Sequence, residues 1–120
     1  MNKRTIGTQY ESLACNYLTG IGMHVIERNY RIRTGEIDIV ARDGRTLVFV
    51  EVKYRKSSAA GKSLDAVDFR KRMQIVKVAK NYLYMNHIPE YVSVRFDCIG
   101  IDDGKITHIR NAFDSTGSVS

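Results

Sequence analysis

Two stretches of this chain carry apolar side chains at helical spacing, and five others run apolar or alternate over the length of a strand. From Ile6 to Ile21 the apolar positions are Ile6, Tyr10, Leu13, Ala14, Tyr17, Leu18 and Ile21, which predicts a helix with one buried stripe. Gly20 and Gly22 end it, and Met23 to Arg31 reads as a strand centred on His24-Val25-Ile26. Arg33-Thr34-Gly35 then turns the chain into a pair of β-branched runs, Gly35 to Val40 and Val48 to Lys53, separated by Arg42-Asp43-Gly44-Arg45. Arg55 to Lys62 contains Ser-Ser-Ala-Ala-Gly and is expected to be a mobile loop. Ser63 or Asp65 is expected to cap a helix that runs to about Met85, with Phe69, Met73, Val76, Ala79 or Lys80, and Leu83 on its apolar stripe. Past Pro89, Tyr91 to Ile101 is a strand, Asp102-Asp103-Gly104-Lys105 a turn, and Ile106 to Ala112 a last strand. The predicted order is α-β-β-β-α-β-β, a single α/β domain over residues 1–114 with a mixed sheet flanked by helices. The polar residues 115–120 are expected to fray.

Within the central pair of strands the pattern is broken by charge. Gly35-Glu36-Ile37-Asp38-Ile39-Val40 and Val48-Phe49-Val50-Glu51-Val52-Lys53 place acids and a lysine among Ile, Val and Phe, where an ionised group needs a partner or a metal to offset its desolvation. Asp-Gly between alternating hydrophobics is a strong hairpin signal, so the runs should pair antiparallel. With Asp43 and Gly44 as the turn, Val40 falls opposite Leu47, Asp38 opposite Phe49 and Glu36 opposite Glu51. Period two then sets Glu36, Asp38, Glu51 and Lys53 on one face. Asp38 and Glu51 become diagonal neighbours, with Cβ atoms about 7–8 Å apart, close enough for both carboxylates to reach one ion. A salt-bridged sheet face with Lys53 neutralising Glu51 accounts for Lys53, but it leaves three acids facing one base.

Composition sharpens this picture at three points. The 120 residues, 43% hydrophobic with one Pro, suit one compact domain. No run approaches the ~18 consecutive apolar residues of a membrane span, and Met1-Asn2-Lys3-Arg4 leads into an amphipathic stretch, so a soluble cytoplasmic protein is expected. Cys15 and Cys98 are too few and too isolated for a disulfide framework or zinc site, and His24, His87 and His108 show no ligand spacing, which makes them structural or surface residues. The net charge of +6 is unevenly placed: Lys53 to Lys80 holds nine bases against Asp65 and Asp68. A basic segment directly after an acidic site suits a phosphate-backbone ligand, with bases on the phosphates and acids holding the metal that acts on one of them. The same run is also compatible with a solvated helix face, since a charge run alone specifies no partner.

The candidate chemistry follows from the donor types. Asp38, Glu51 and the Val52 carbonyl would hold Mg²⁺ or Mn²⁺, hard cations that take oxygen ligands, and the bound ion would polarise a phosphoryl oxygen and acidify a water. Lys53, pointing the same way as Glu51, is placed to orient the attacking water or offset transition-state charge. Arg55, Lys56, Lys62, Arg70, Lys71 and Arg72 are the bases nearest the site in sequence and the candidates for phosphate contacts. Glu11 has two readings of equal weight: an acid directed from the first helix toward Asp38 and Glu51, or the closing residue of a Thr8-x-x-Glu11 capping box. No Ser or Cys has a partnered His, and no GxxxxGK[ST] loop occurs. Hydrolysis by metal-activated water is the remaining fit. The alternative is a catalytically silent nucleic-acid-binding protein whose acids survive as a salt-bridge cluster.

Asp38 followed thirteen positions on by Glu51-Val52-Lys53, with Glu11 in a preceding helix, resembles the PD-(D/E)XK nuclease superfamily. Ile37 stands where that superfamily has its proline. More closely, Gly35 to Val40, Phe49-Val50-Glu51-Val52-Lys53-Tyr54-Arg55, Ala79-Lys80-Asn81-Tyr82-Leu83 and Arg95-Phe96-Asp97 resemble the YraN-like family of predicted endonucleases, distantly similar to archaeal Holliday-junction resolvases. The resemblance spans nearly the whole chain. It implies a restriction-endonuclease-like fold, metal ligation by Asp38 and Glu51, a catalytic Lys53, Glu11 as an auxiliary acid, and DNA, branched or junction DNA included, as substrate. Resolvases of this class act as dimers, which makes a homodimer an expectation to test.

Overall fold

A computed structural model of the chain describes residues 3–55 and 67–119. Lys56 and Lys62, the candidate caps Ser63 and Asp65, and the loop expected to carry them lie outside the described residues. The elements are α1 (Lys3–Gly20), β1 (His24–Ile32), β2 (Gly35–Asp43), β3 (Thr46–Arg55), α2 (Phe69–Met85), β4 (Val94–Asp102) and β5 (Lys105–Phe113). They form one α/β domain whose five strands lie in chain order, β1-β2-β3-β4-β5. Only β3 and β4 run parallel; the other three pairs are antiparallel. A parallel pair cannot be joined by a tight turn, and α2 lies in the connection between β3 and β4. No helix among the described residues is long and apolar enough to cross a membrane.

The central strands β2, β3 and β4 are buried on both faces. Ala14 and Leu18 of α1 cover Ile39, Ala41, Val48, Val50, Val52, Ile99 and Ile101. Ile75, Val76, Val78, Ala79 and Tyr82 of α2 cover Ile37, Val40, Leu47, Phe49, Phe96, Cys98 and Phe113. The expected helix stripes are therefore shifted in detail. Leu13 of α1 and Ile21 just past its end are exposed, and so is Phe69 of α2, while Tyr82, absent from the predicted stripe, packs edge-on against both Phe49 and Tyr30. The cap of α2 is Asp68, whose Oδ1 accepts from the Lys71 N–H at 2.9 Å and so satisfies one of the helix's free donors.

The β2–β3 turn differs by one residue from the Asp43-Gly44 expectation. Asp43 pairs with Thr46, leaving Gly44 and Arg45 as the turn. Gly44 sits at φ +61, and a glycine at the first central position is what a type II′ hairpin turn requires. Moving the turn by one residue moves the register by two, so each side chain of the paired stretches keeps its face. Ile39 now opposes Val50, the last pair of the ladder before Asp38 and Glu51.

The chain end also departs from expectation. Residues 115–119 are exposed except for Gly117 but are tied back to the strand end: Val119 bridges to Phe113, and the Thr116 and Ser118 N–H groups donate to Asp114. Arg72 explains the docking, because its Nε donates to the Gly117 carbonyl at 2.7 Å and its Nη1 to the Val67 carbonyl at 2.9 Å.

A second polar cluster ties α1 to β4 and β5. The Tyr17 hydroxyl lies 3.1 Å from His108 Nδ1, whose Nε2 lies 2.7 Å from Asp97 Oδ2. Arg95 donates to both Asp97 oxygens and to Asp43, and the Asn111 N–H donates to Asp97 Oδ1. Burial pushes the Asp97 carboxyl up, but the bonds from His108, Arg95 and Asn111 outweigh it and hold the group below its ordinary range. Because the folded pKa is depressed, this stabilisation is present above the unfolded value of 3.8 and is lost as pH falls through the folded one. Asp97→Ala leaves Arg95 and His108 facing a hole and is expected to cost about 3–5 kcal/mol, read as a lower urea midpoint at pH 7.

Candidate active site

Asp38 and Glu51 stand where β2 and β3 part. The recorded β2–β3 pairs stop at Ile39 and Val50, and beyond them the Val52 N–H donates to Asp38 Oδ2 at 2.8 Å instead of to a strand carbonyl. The side chain thus takes over the ladder's hydrogen bond. Strand alternation slips at the same place, since Ile37 and Val40 both pack in the α2-side core. The N–H and C=O of one strand residue point to the same edge, so the Val52 carbonyl faces the side on which Asp38 lies.

Both carboxylates are buried, and Glu51 Oε2 has no hydrogen-bond partner. Burial, with a hydrogen bond to Glu51 and the charge of Glu51 added, pushes the Asp38 carboxyl up to about 10, against the pull of the Val52 N–H. The charges of Glu11 and Glu51 are felt at Asp38, and those of Glu36 and Glu51 at Glu11. Four acids therefore share one locality.

Glu11 lies eight residues into α1, which starts at Lys3, so the capping-box reading is excluded. Its Oε1 is buried without a hydrogen bond, and Arg28 Nη2 stands 3.9 Å away. Burial raises its pKa, while Asn29 and Arg28 pull it down. Among the described residues no three His, Cys, Asp or Glu side chains are gathered into a complete metal cage. The acids approach one another without closing.

Lys53 is half-buried on β3, two residues beyond Glu51. It does not neutralise Glu51. That role falls to Lys71, whose Nζ reaches across from α2 to within 3.4 Å of Glu51 Oε2. The charge of Lys53 is felt instead at Cys98, the register partner of Glu51. Burial, with Glu51 and Asp97 nearby, drives that thiol up to about 12 and leaves it an inert core residue.

The bases expected at the phosphates separate into two sets. Arg72 turns its guanidinium inward, onto the Gly117 and Val67 carbonyls and the Phe69 ring, so it serves the chain end and not the surface. Lys71 is committed to Glu51. Arg70 is exposed and lines a cleft of about 440 Å³ with Thr34, Asp68, Lys71, Met73, Gln74 and Lys77. A second cleft of about 370 Å³ is lined by Arg31, Ile32, Arg33, Gly35, Glu36, Lys71 and Gln74. Lys71 and Gln74 belong to both, so the two clefts meet at the lysine that is paired with Glu51. Arg55 ends β3 opposite Asp102.

Gln74 also explains the glycine that opens β2. Its Nε2 donates to the Thr34 carbonyl at 2.8 Å, and a Cβ on Gly35 would stand 2.9 Å from its Cγ. Gly35→Ala is expected to push Gln74 off Thr34, loosen the clefts and cost about 1–3 kcal/mol. Thermal unfolding checks this, and Gln74→Ala in the same chain should recover part of the loss.

The model of the Uncharacterised protein family UPF0102 matches residues 10–101. The chain belongs to this family. A UPF0102 protein of Lachnoclostridium phytofermentans is 46% identical over 118 residues, spanning 98% of this chain and 100% of its own. One from Geotalea daltonii is 44% identical over 118 residues, 94% and 92% of the two chains. A third, UPF0102 protein FN1370 of Fusobacterium nucleatum, is 39% identical over 111 residues, 92% of each. The matched UPF0102 region begins just before Glu11, takes in Asp38, Glu51, Lys53 and all of α2, and ends before β5.

Two features of this UPF0102 chain lay beyond sequence reasoning. Arg31, Arg33 and Lys77 flank the clefts, and the signal for the first two was an Arg-x-Arg directly before the turn into Gly35. The Tyr17, His108 and Asp97 cluster left no local signal, because its members lie up to 91 positions apart.

Proposed function

We propose that this protein is a divalent-metal-dependent endonuclease that hydrolyses DNA phosphodiester bonds. The observation that carries the reading is the buried Asp38–Glu51 pair at the parting of two strands, where Glu51 Oε2 has the Lys71 ammonium at 3.4 Å but accepts no hydrogen bond. A carboxylate oxygen left without a hydrogen bond at such depth costs about 1–3 kcal/mol or more and persists where another ligand completes it. The donor set fits Mg²⁺ or Mn²⁺: Asp38, Glu51 and the Val52 carbonyl are all hard oxygens. An incomplete cage is normal for Mg²⁺, which keeps waters and takes substrate phosphate oxygens as further ligands. When bound, the ion would supply Lewis-acid polarisation of a phosphoryl oxygen and a more acidic water.

The chain's own side chains divide the remaining work. Lys53 follows Glu51 by two residues on β3, and with Glu51 already paired by Lys71 its ammonium is left for the developing phosphorane charge or the attacking water. Arg70 and Lys77 on α2 and Arg31 and Arg33 on β1 and its turn flank the clefts that share Lys71 and suit a phosphate backbone. Arg55 at the end of β3, with Lys56 and Lys62 after it in sequence, continues the basic segment. The resemblance to resolvases directs attention to branched DNA. The test is cleavage of linear, flap, single-stranded and four-way-junction DNA with Mg²⁺ and with Mn²⁺, beside Glu51→Ala. Metal-dependent cutting by the native chain and none by the variant is expected. Salt-dependent binding without cutting would return the catalytically silent reading, and equal cutting by both chains would overturn the site.

A further inference from the structure

The ammonium of Lys71 raises a question that the proposed function leaves open. It lies 3.4 Å from Glu51 Oε2, the atom that lacks a hydrogen bond, so the two make an ion pair without a directed bond. The Lys71 main chain is fixed, its N–H held by the Asp68 cap at 2.9 Å. The side chain is not enclosed: 31% of it is exposed, against 5% for Glu51. It stands where the clefts lined by Arg70 and Lys77 and by Arg31 and Arg33 meet. A lysine in the first turn of a helix is also opposed by the helix dipole, so its position is one that a nearby carboxylate must favour. Its flexible stem and rotatable donors let it leave that carboxylate without moving the helix.

We infer that Lys71 is a placeholder cation: in the metal-free chain it occupies the side of Glu51 that a divalent ion takes, and metal binding displaces it into the adjoining basic clefts. The inference rests on the metal site proposed above and adds a residue to it. Two cations cannot crowd one carboxylate oxygen, so Lys71 and the ion compete, and Lys71 lowers metal affinity in the absence of DNA. Once displaced, its ammonium joins Arg31, Arg33, Arg70 and Lys77 along the clefts, where a phosphate backbone would hold it away from Glu51. Metal and nucleic acid then bind with positive coupling, because each disfavours the return of Lys71.

The experiment is Mn²⁺ binding to the full chain without DNA, by calorimetry or Mn²⁺ electron paramagnetic resonance, for the native protein, Lys71→Met, Lys71→Arg and Glu51→Gln. Lys71→Met keeps the stem and removes the competitor, so its Mn²⁺ Kd is expected to fall about tenfold, within the usual span of coupling between sites. Its melting temperature in EDTA should fall, since Glu51 loses its counter-ion. Lys71→Arg, whose fork can grip the carboxylate at two points, is expected to bind Mn²⁺ more weakly than the native chain. If the native chain binds Mn²⁺, Glu51→Gln does not, and Lys71→Met matches or falls below native affinity, the placeholder role is overturned and the metal site stands. Should Lys71→Met fail to fold, Lys71→Arg decides, and equal or tighter Mn²⁺ binding by it overturns the inference. Binding by neither the native chain nor Lys71→Met overturns the metal site together with the inference.

Discussion

Lys53→Ala is expected to lower metal-dependent DNA cleavage by roughly 10²–10³-fold, the loss typical of removing one preorganised transition-state donor. DNA affinity and Mn²⁺ affinity should stay near native values. The division follows from which lysine holds which charge. Had Lys53 been the counter-ion of Glu51, its removal would have left a buried carboxylate uncompensated and destabilised the fold. Lys71 has that role, so Lys53 can be removed without stranding Glu51. An interaction made only in the transition state lowers kcat and kcat/KM together and leaves binding alone. The measurement is single-turnover cleavage beside DNA binding and thermal unfolding. A native rate in Lys53→Ala, in a preparation that Glu51→Ala inactivates, would remove Lys53 from the chemistry. A large fall in melting temperature would instead make it a structural residue.

How much of this site was legible in the sequence depends on the range of the physics involved. Period-two alternation is local, so the faces of the paired residues from Ile39 to Asp43 and from Thr46 to Val50 survived a turn misplaced by one residue, since a register shift of two leaves each side chain on its side of the sheet. The slip between Ile37 and Ile39, where the strands part at Asp38, was not legible. The register that leads up to Asp38 and Glu51 was not legible either, because Asp43-Gly44 and Gly44-Arg45 both satisfy hairpin chemistry and only the pairing of Asp43 with Thr46 separates them. Glu11 showed the limit of local motifs. Thr8-x-x-Glu11 matches a capping box, yet the helix begins at Lys3, and only its packing on the sheet brings Glu11 near the other acids. Counting charge found the basic segment but could not orient it. Of three consecutive bases, Arg70 lines a cleft, Lys71 meets a buried carboxylate and Arg72 clamps the chain end. Helix geometry sends neighbours in different directions, and what each meets is set by strands and turns far away in sequence.

The second large effect joins stability to chemistry at Asp38. In the metal-free protein its carboxyl keeps a proton well above the ordinary range, chiefly through burial and then through its hydrogen bond to Glu51. The folded pKa is raised above the unfolded 3.8, so between that value and about 10 the folded chain holds a proton that the unfolded chain has released. Stability must then fall as pH rises through this window, with a limiting slope of about 1.4 kcal/mol per pH unit for one proton. Asp38→Asn imitates the protonated acid: its carbonyl oxygen can accept from Val52 and its amide can donate to Glu51, and nothing titrates. In EDTA the variant is expected to equal the native chain near pH 4 and to gain on it steadily from pH 5 to pH 9, each kcal/mol appearing as about 4 °C in melting temperature. Mn²⁺ should reverse the order. The ion requires the ionised carboxylate, so it stabilises the native chain by mass action and releases the proton, whereas Asp38→Asn gains nothing and no longer cuts DNA. Parallel melting curves for the two chains across that pH range would show that Asp38 is ionised in the fold and that this carboxylate is not held in reserve for a metal.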